Sequence, residues 1–202
     1  VERSRGLGDV YKRQLVDVTS PESTLHFAAD VAVDLPPVVA LVNNAGIYPW
    51  KSFADTDYAL WRKVLGVNLD GAFLMSKAFI PGMVERKLGR IVNVASSTLW
   101  LNVPDMSAYI ASKGGVIGLT RALASEFGAS GITANVIAPG LTNTKSMRGT
   151  NEEIFEFLPK LQAIPRTLEP SDLVGVVSFL CSPDSAFVTG QTIVADGGQA
   201  RL

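Results

Sequence analysis

The sequence has very little of what metal centres and disulfides require. Among 202 residues there is one cysteine, Cys181, and one histidine, His26. A single cysteine cannot form an internal disulfide, and one Cys with one His is too few ligands for a structural zinc site. We therefore expect no disulfide, no bound metal and a reducing, cytoplasmic location.

Charge imbalance and long apolar runs are also lacking. Lys and Arg number 18 against 19 Asp and Glu, so the net charge is −1, and the basic residues do not cluster. This balance argues against nucleic-acid or anionic-membrane partners. No apolar run reaches the roughly 20 residues that a membrane-spanning helix needs. With 47% hydrophobic residues, the composition indicates an ordinary globular domain.

Short apolar runs alternate with amphipathic segments, which is typical of an α/β fold with a parallel sheet. Strands are predicted at 15–18, 38–42, 90–94, 132–137 and 191–195. Helices are predicted at 21–33, 55–79, 104–127 and 171–180, and short helical stretches within 142–165; Asp55 or Asp57 would open the second helix, and Pro81-Gly82 would end or kink it. The pattern predicts a single-domain, doubly wound, Rossmann-like sheet.

Tyr109 and Lys113 lie four residues apart in a predicted helix, so their side chains share one face. A neighbouring ammonium stabilises a phenolate, and we expect Lys113 to lower the pKa of Tyr109 from its ordinary value of about 10. Tyr109 could then exchange a proton with a substrate. Ser96, at a strand end, could hydrogen-bond a carbonyl or alcohol oxygen. The Tyr–Lys spacing alone is equally typical of simple helix packing.

Further motifs follow the ends of predicted strands, the edge where open α/β sheets bind ligands. Together they resemble the short-chain dehydrogenase/reductases from about Leu15 to the C-terminus. The matching residues are Asp17-Val18, Asn43–Gly46, Asn68, Ser96, Tyr109 with Lys113, Pro139-Gly140 with Thr144, and Thr189-Gly190-Gln191 with Asp196-Gly197-Gly198. Residues 43–49, 73–83 and 158–166 further resemble secondary-alcohol dehydrogenases related to (S)-1-phenylethanol dehydrogenase.

The resemblance implies an enzyme that interconverts a secondary alcohol and a ketone with NAD or NADP. Tyr109 would be the general acid/base, Lys113 its cationic neighbour, Ser96 the holder of the substrate oxygen, and Asn68 would hold a relay water. The implied cofactor-binding residues are Asp17, Val18, Asn43, Ala45, Gly46, Tyr109, Lys113, Pro139, Gly140, Leu141 and Thr144.

Structural alternatives stay open for several of these residues. Asp17 is also typical of a cap, Asn43 of a sheet brace and Asn68 of a buried amide. For Pro139-Gly140, a plain turn is the simplest interpretation.

Residues 142–165 are predicted to cover the substrate. Apolar wall candidates, each of which could instead be plain core, are Tyr48, Trp50, Trp100, Phe155, Phe157, Leu158 and Leu161. The implied partners are a small alcohol or ketone and further copies of the chain, forming a dimer or tetramer through the helices around 57–79 and 107–127. The alternative activity, a 3-oxoacyl-[acyl-carrier-protein] reductase, predicts a basic docking patch, and Arg121, Lys145 and Arg148 are too scattered in sequence to establish one.

The glycine-rich turn that binds pyrophosphate in this family is not recognisable before Leu15. The segment Ser4–Gly8 has similar glycines, but too few residues separate Gly8 from Asp17 for a helix and strand. The segment Asp9–Gln14 matches the translation of a sequencing-library adapter. We therefore expect residues 1–14 to be a non-native leader and 15–202 a domain lacking its first strand–helix–strand unit. A fragment unable to bind cofactor is thus a further alternative.

Overall fold

The fold is built on a four-stranded parallel sheet, seen in a computed structural model that describes residues 14–145, 147 and 152–200. Strands β1 (Ala40–Asn43), β2 (Gly89–Val94), β3 (Ile132–Pro139) and β4 (Thr192–Ala195) lie side by side in chain order. The register places Val42 opposite Val92, and Ile137 opposite Ile193. Because all pairs are parallel, the carboxyl ends of the strands share one edge, as predicted.

Six α-helices accompany the sheet in the described part of the chain. They are α1 (Pro21–Asp34), α2 (Tyr58–Leu65), α3 (Gly71–Arg86), α4 (Ser107–Phe127), α5 (Glu152–Phe157) and α6 (Pro170–Cys181). Helix α1 begins where Ser20 Oγ accepts the Ser23 N–H at 3.1 Å, and α2 begins where the Asp57 carboxylate accepts the Leu60 N–H at 2.7 Å. None of the described helices is long and apolar enough to cross a bilayer.

Both faces of the central strands β2 and β3 are buried. On one face Ile91 packs in a cluster with Met75 and Met83 of α3, and on the other Val92 packs with Leu180 of α6. Successive side chains of a strand point to opposite faces, so neighbours such as Ile91 and Val92 enter different cores. This two-sided burial confirms the doubly wound α/β prediction and fixes the sheet edge where the site lies.

The strand predicted at Leu15–Val18 is wrong. The Asp17 N–H donates to Ser23 Oγ at 2.9 Å, and the Asp17 carbonyl accepts the Ser20 N–H at 3.1 Å. These bonds form a turn into α1 and use the backbone groups that a sheet ladder would need. Within the described residues, β1 pairs only with β2, so this segment has no strand partner there.

The single helix predicted from Asp55 or Asp57 through Phe79 is instead two helices joined by a π-helical turn, Gly66–Asp70. Helix α3 also continues through Pro81 to Arg86. Of the two outcomes predicted for Pro81-Gly82, an end or a kink of the helix, the end is therefore wrong. Side-chain burial on α3 explains the difference, because Ile80 and Met83 flank Pro81 and are both in the core. Tertiary packing here outweighs the helix-breaking preference of proline.

Candidate active site

A cleft of about 470 Å³ opens at the carboxyl edge of the sheet. Strand β2 leads into it through Val94 and Ser96, β3 ends in it at Pro139, and α4 contributes Tyr109 and Lys113. The volume is within the range of small-molecule and cofactor sites. Three chain segments far apart in sequence therefore bring the predicted reacting groups to one place.

Lys113 lies one helical turn after Tyr109, and both side chains line the cleft. The Lys113 Nζ is 5.7 Å from the centre of the Tyr109 ring and donates to the Val94 carbonyl at 2.7 Å. The side chain is 4% exposed, and this burial lowers the pKa of Lys113 to about 8. The end of β2 thus holds the ammonium beside the phenol.

The predicted lowering of the Tyr109 pKa is wrong for this structure. Burial raises the pKa of the phenol above its ordinary value; the hydrogen bond with Ser96 lowers it, and the nearby Tyr48 raises it further. Desolvation dominates because it disfavours the charged phenolate, while the Lys113 ammonium is bonded to the Val94 carbonyl. At neutral pH Tyr109 is therefore a protonated phenol, the form that can donate a proton.

Ser96 is fixed by its position at the start of a 3₁₀ turn, Ser97–Trp100. Its Oγ accepts the Thr98 N–H at 3.3 Å and the Thr98 hydroxyl at 3.0 Å. Because Thr98 occupies the acceptor side of this oxygen, the Ser96 proton can point toward Tyr109 or a substrate. Sequence reasoning missed Thr98, although a hydroxyl two residues after a strand-end serine is a usable signal.

Asn68 lies buried in the π-helical turn and connects two segments of the site. Its Nδ2 donates to the Ile47 carbonyl and to Ser112 Oγ, both at 2.9 Å, and its Oδ1 accepts the Ile47 N–H at 2.8 Å. Ser112 Oγ in turn donates to the Tyr109 carbonyl at 2.7 Å. Two roles were predicted for Asn68, holding a relay water and serving as a buried amide, and both are compatible with this position. The observed bonds are those of a structural brace.

The part of the cleft nearest Lys113 fits the nicotinamide ribose implied by the sequence. A Cβ on Gly46 would lie 3.5 Å from Lys113 Nζ and 3.3 Å from Asn68 Oδ1, so glycine leaves this space open. Donors and acceptors stand around it: the Lys113 ammonium, Asn44 and Thr144 line the same cleft. The remaining predicted residues on this side, Pro139, Gly140 and Leu141, also line it, together with Thr142, which was not predicted.

Four predicted cofactor residues do not line the cleft: Asp17, Val18, Asn43 and Ala45. The Asp17 carboxylate accepts both the N–H and the hydroxyl of Thr19, which lowers the pKa of the carboxyl. Val18 packs against the core near Gly71. Asn43 donates to Asn93 Oδ1 at 2.8 Å and to Ser76 Oγ at 3.2 Å, so it braces the sheet, the alternative weighed from sequence.

The predicted apolar wall is only partly present. Tyr48, Trp50 and Leu158 line the cleft, whereas Trp100, Phe155, Phe157 and Leu161 do not. Sequence reasoning missed several other lining residues, which belong to segments without a motif: Leu101, Val103, Met106, Gln199 and, on α5, Ile154. The described residues contain no group of His, Cys, Asp and Glu side chains that could hold a metal ion.

A Ser–Tyr–Lys site at the carboxyl edge of a Rossmann-like parallel sheet defines the class of NAD(P)-dependent oxidoreductases. The family model described as "Enoyl-(Acyl carrier protein) reductase" matches residues 5–200. The chain belongs to the short-chain dehydrogenase/reductase family.

Similar proteins within the family differ in their substrates. Galactitol 2-dehydrogenase (L-tagatose-forming) of Cereibacter sphaeroides is 42% identical, covering 94% of this chain and 76% of that protein. The 3-oxoacyl-[acyl-carrier-protein] reductase of Vibrio cholerae is 34% identical, covering 97% and 80%. The crystal structure of gluconate 5-dehydrogenase from Burkholderia cenocepacia, in complex with NADP and tartrate, superposes with a TM-score of 0.86 at 31% identity, covering 91% of this chain and 72% of that one.

Proposed function

We propose that this chain interconverts a secondary alcohol and a ketone with NAD or NADP. The observation that carries the proposal is the meeting of Ser96, Tyr109 and Lys113 in one cleft. Two hydroxyl groups in hydrogen-bonding contact, with a buried ammonium beside them, can bind one substrate oxygen and move its proton.

The proposed roles are those that the family resemblance implies, and the geometry of the cleft supports them. Bound nicotinamide would supply the hydride acceptor or donor. In ketone reduction, the Ser96 hydroxyl holds the carbonyl oxygen while the Tyr109 phenol donates its proton to that oxygen. The Lys113 ammonium then stabilises the phenolate left behind. In alcohol oxidation the same phenolate takes the proton back.

The experiment is ketone-dependent oxidation of NADH or NADPH by the purified chain. Tyr109→Phe keeps the ring and removes the proton, so we expect kcat to fall by about 10²- to 10⁴-fold. The matched control is Tyr58→Phe, because Tyr58 is an exposed tyrosine on α2. Unchanged turnover in Tyr109→Phe contradicts the proposal.

A 3-oxoacyl-[acyl-carrier-protein] reductase is the second candidate, supported by the similarity to the Vibrio cholerae enzyme. Its substrate is a ketone on a long thioester carrier, so it needs a cationic docking surface beside the cleft. Arg121 and Lys145 are exposed, and Arg148 lies outside the described residues. Higher kcat/KM for acetoacetyl-CoA than for simple ketones would favour this candidate.

We also propose the predicted boundary between a leader at 1–14 and a domain at 15–202. The leader lies outside the described residues except for Gln14, and the family match begins within it, at residue 5. If the boundary is correct, a chain beginning at Leu15 should unfold at the same temperature as the full chain.

The alternative weighed from sequence is a fragment that cannot bind cofactor. It predicts a folded sample that binds neither NADH nor NADPH.

Self-association through α2, α3 and α4 is a further proposal. Phe73 is exposed on α3, and Lys77 Nζ lies 5.6 Å from the Phe73 ring centre. Apolar groups at such positions favour burial against another copy. Light scattering coupled to size-exclusion chromatography measures the mass directly, and Phe73→Glu should shift it toward the monomer.

A further inference from the structure

The β3 loop, residues 140–145, follows β3 and lines the cleft without being part of a helix or strand. Leu141, Thr142 and Thr144 contribute to the lining, and Thr144 is among the residues that the resemblance assigns to the cofactor. Ordering an irregular loop costs roughly 1–2 kcal/mol per residue unless the rest of the fold already holds it. The contacts that hold the β3 loop therefore affect how tightly a ligand can bind against it.

The β3 loop is linked to the segment that leads into α6. Thr142 forms a parallel β-bridge with Leu168, and the Asn143 N–H donates to the Leu168 carbonyl at 2.9 Å. The Asn143 side chain adds a third link, because its Nδ2 donates to Glu169 Oε1 at 2.8 Å. Of these three links, only the last joins two side chains, so it can be removed by substitution without altering the backbone.

The start of α6, to which the β3 loop is linked, is itself fixed. Arg166 binds the Asp172 carboxylate through both terminal guanidinium nitrogens, at 2.6 and 2.7 Å. Asp172 also accepts the N–H of Glu169, the residue before α6, at 2.9 Å. A bidentate Arg–carboxylate pair fixes geometry as well as adding energy. Glu169 therefore holds the Asn143 side chain from a well-defined position.

The Asn143–Glu169 bond joins two parts of the cleft lining. Thr142 and Thr144 flank Asn143 and line the cleft, and Pro170, directly after Glu169, lines it as well. Asn143 and Glu169 themselves do not line the cleft. They can therefore influence a bound ligand through the neighbouring residues whose positions they fix.

We propose that Asn143 and Glu169 are positioning residues for NAD or NADP, acting through the β3 loop. Their bond orders Thr142 and Thr144 in advance, so cofactor binding does not have to supply the free energy of ordering them. The reacting groups lie on the segment after β2 and on α4, so loss of the bond should weaken cofactor binding and spare proton transfer. The inference rests on the proposed function for the identity of the ligand, whereas the effect of the bond on the β3 loop does not require turnover.

The first test follows the β3 loop without any cofactor. The readout is amide hydrogen exchange of the full chain, measured by mass spectrometry in peptides that cover residues 140–145. Glu169→Ala removes the bond from the α6 side, and Asn143→Ala removes it from the loop side and leaves the start of α6 intact. We expect exchange to become about three- to tenfold faster in each. The control is Glu126→Ala, at an exposed position on α4. Unchanged exchange in both test variants overturns the proposal.

The second test measures the Kd for NADH and NADPH by fluorescence titration, together with KM and kcat for ketone reduction. We expect the Kd and KM of the cofactor to rise about three- to tenfold in Glu169→Ala and Asn143→Ala, with kcat nearly unchanged. Glu169→Gln keeps an acceptor oxygen and should retain most of the affinity. The double alanine variant should be no weaker than either single one, because both remove the same bond. Additive losses of affinity, or a fall in kcat alone, overturn the proposal.

The outcomes distinguish this inference from the proposed function. Cofactor binding that depends on Glu169, without ketone turnover, overturns the proposed function and supports the positioning role. Ketone turnover with the same cofactor KM in every variant supports the oxidoreductase and overturns the positioning role. Absence of cofactor binding by the unaltered chain overturns the positioning role as well.

Discussion

The carboxamide of Asn68 holds both polar backbone groups of Ile47, accepting the N–H at 2.8 Å and donating to the carbonyl at 2.9 Å. The same amide donates to Ser112, which bonds the carbonyl of Tyr109. One buried side chain therefore connects the loop that carries Tyr48 to the helix that carries Tyr109. The position of this loop relative to the Tyr109 phenol therefore depends on Asn68.

Replacing Asn68 by alanine should destabilise the fold. The Ile47 backbone groups and the Ser112 hydroxyl would lose buried partners, and we expect about 2–4 kcal/mol of lost unfolding free energy. Urea denaturation measures this change. Ser112→Ala removes only one of the links and should cost about 1 kcal/mol. Equal costs for the two variants would contradict the central position assigned to Asn68.

Thr98 should act as a positioning residue for Ser96. Thr98→Val keeps the shape but removes the hydroxyl that donates to Ser96 Oγ. Loss of one such bond corresponds to about a three- to tenfold fall in kcat/KM. Thr98→Ser should restore activity, which distinguishes orientation of Ser96 from general packing. Full activity of the valine variant would show that Ser96 needs no such partner.

Stability should rise with pH above about 8 because of Lys113. Its folded pKa is lowered to about 8 from an ordinary 10.5, so between these values the unfolded chain binds the extra proton. Unfolding free energy therefore increases with pH in this window, by up to about 3 kcal/mol. Above about pH 10, Tyr109 opposes this increase in unfolding free energy. Its pKa is raised in the folded state, so the native chain then binds more protons than the unfolded chain.

The measurement is urea denaturation between pH 7.5 and 10 on the unaltered chain and on Lys113→Met. The methionine variant lacks the titrating group, so its stability should change less with pH over this window. Identical pH dependence in both proteins would show that the Lys113 pKa is not lowered by burial.

Gly131 should be far less tolerant of alanine than its neighbour Gly128. Gly131 has a φ of 74°, and a Cβ there would lie 2.2 Å from the Lys87 carbonyl oxygen, whereas a Cβ on Gly128 meets no atom within 4 Å. We expect Gly131→Ala to cost about 2–4 kcal/mol and Gly128→Ala to be within about 0.5 kcal/mol of neutral. Thermal unfolding of the two variants checks the difference. Similar melting temperatures would refute this account of the turn before β3.

Much of the fold was predictable because local patterns and tertiary structure agree over β2, α4 and β3. The segment Arg90–Val94 is a strand buried on both faces, and the helix containing Tyr109 forms as its periodicity indicates. The strand predicted at Leu15–Val18 is wrong because a strand needs a neighbouring strand to pair with. Apolar composition does not indicate whether such a neighbour is present. The helix end predicted at Pro81 is wrong because burial of the neighbouring side chains outweighs the helix-breaking preference of proline.

The amino-acid sequence alone identified the residues proposed to react, since Tyr109 and Lys113 are four apart on a helix and Ser96 follows a strand. Only the tertiary structure decided how those groups ionise and what surrounds them. Burial sets the pKa of Tyr109 and Lys113, and it depends on atoms contributed by β2 and the loops, not on the spacing between the two residues. The lining of the cleft likewise comes from residues such as Tyr48, Val103 and Leu158, which only folding brings together.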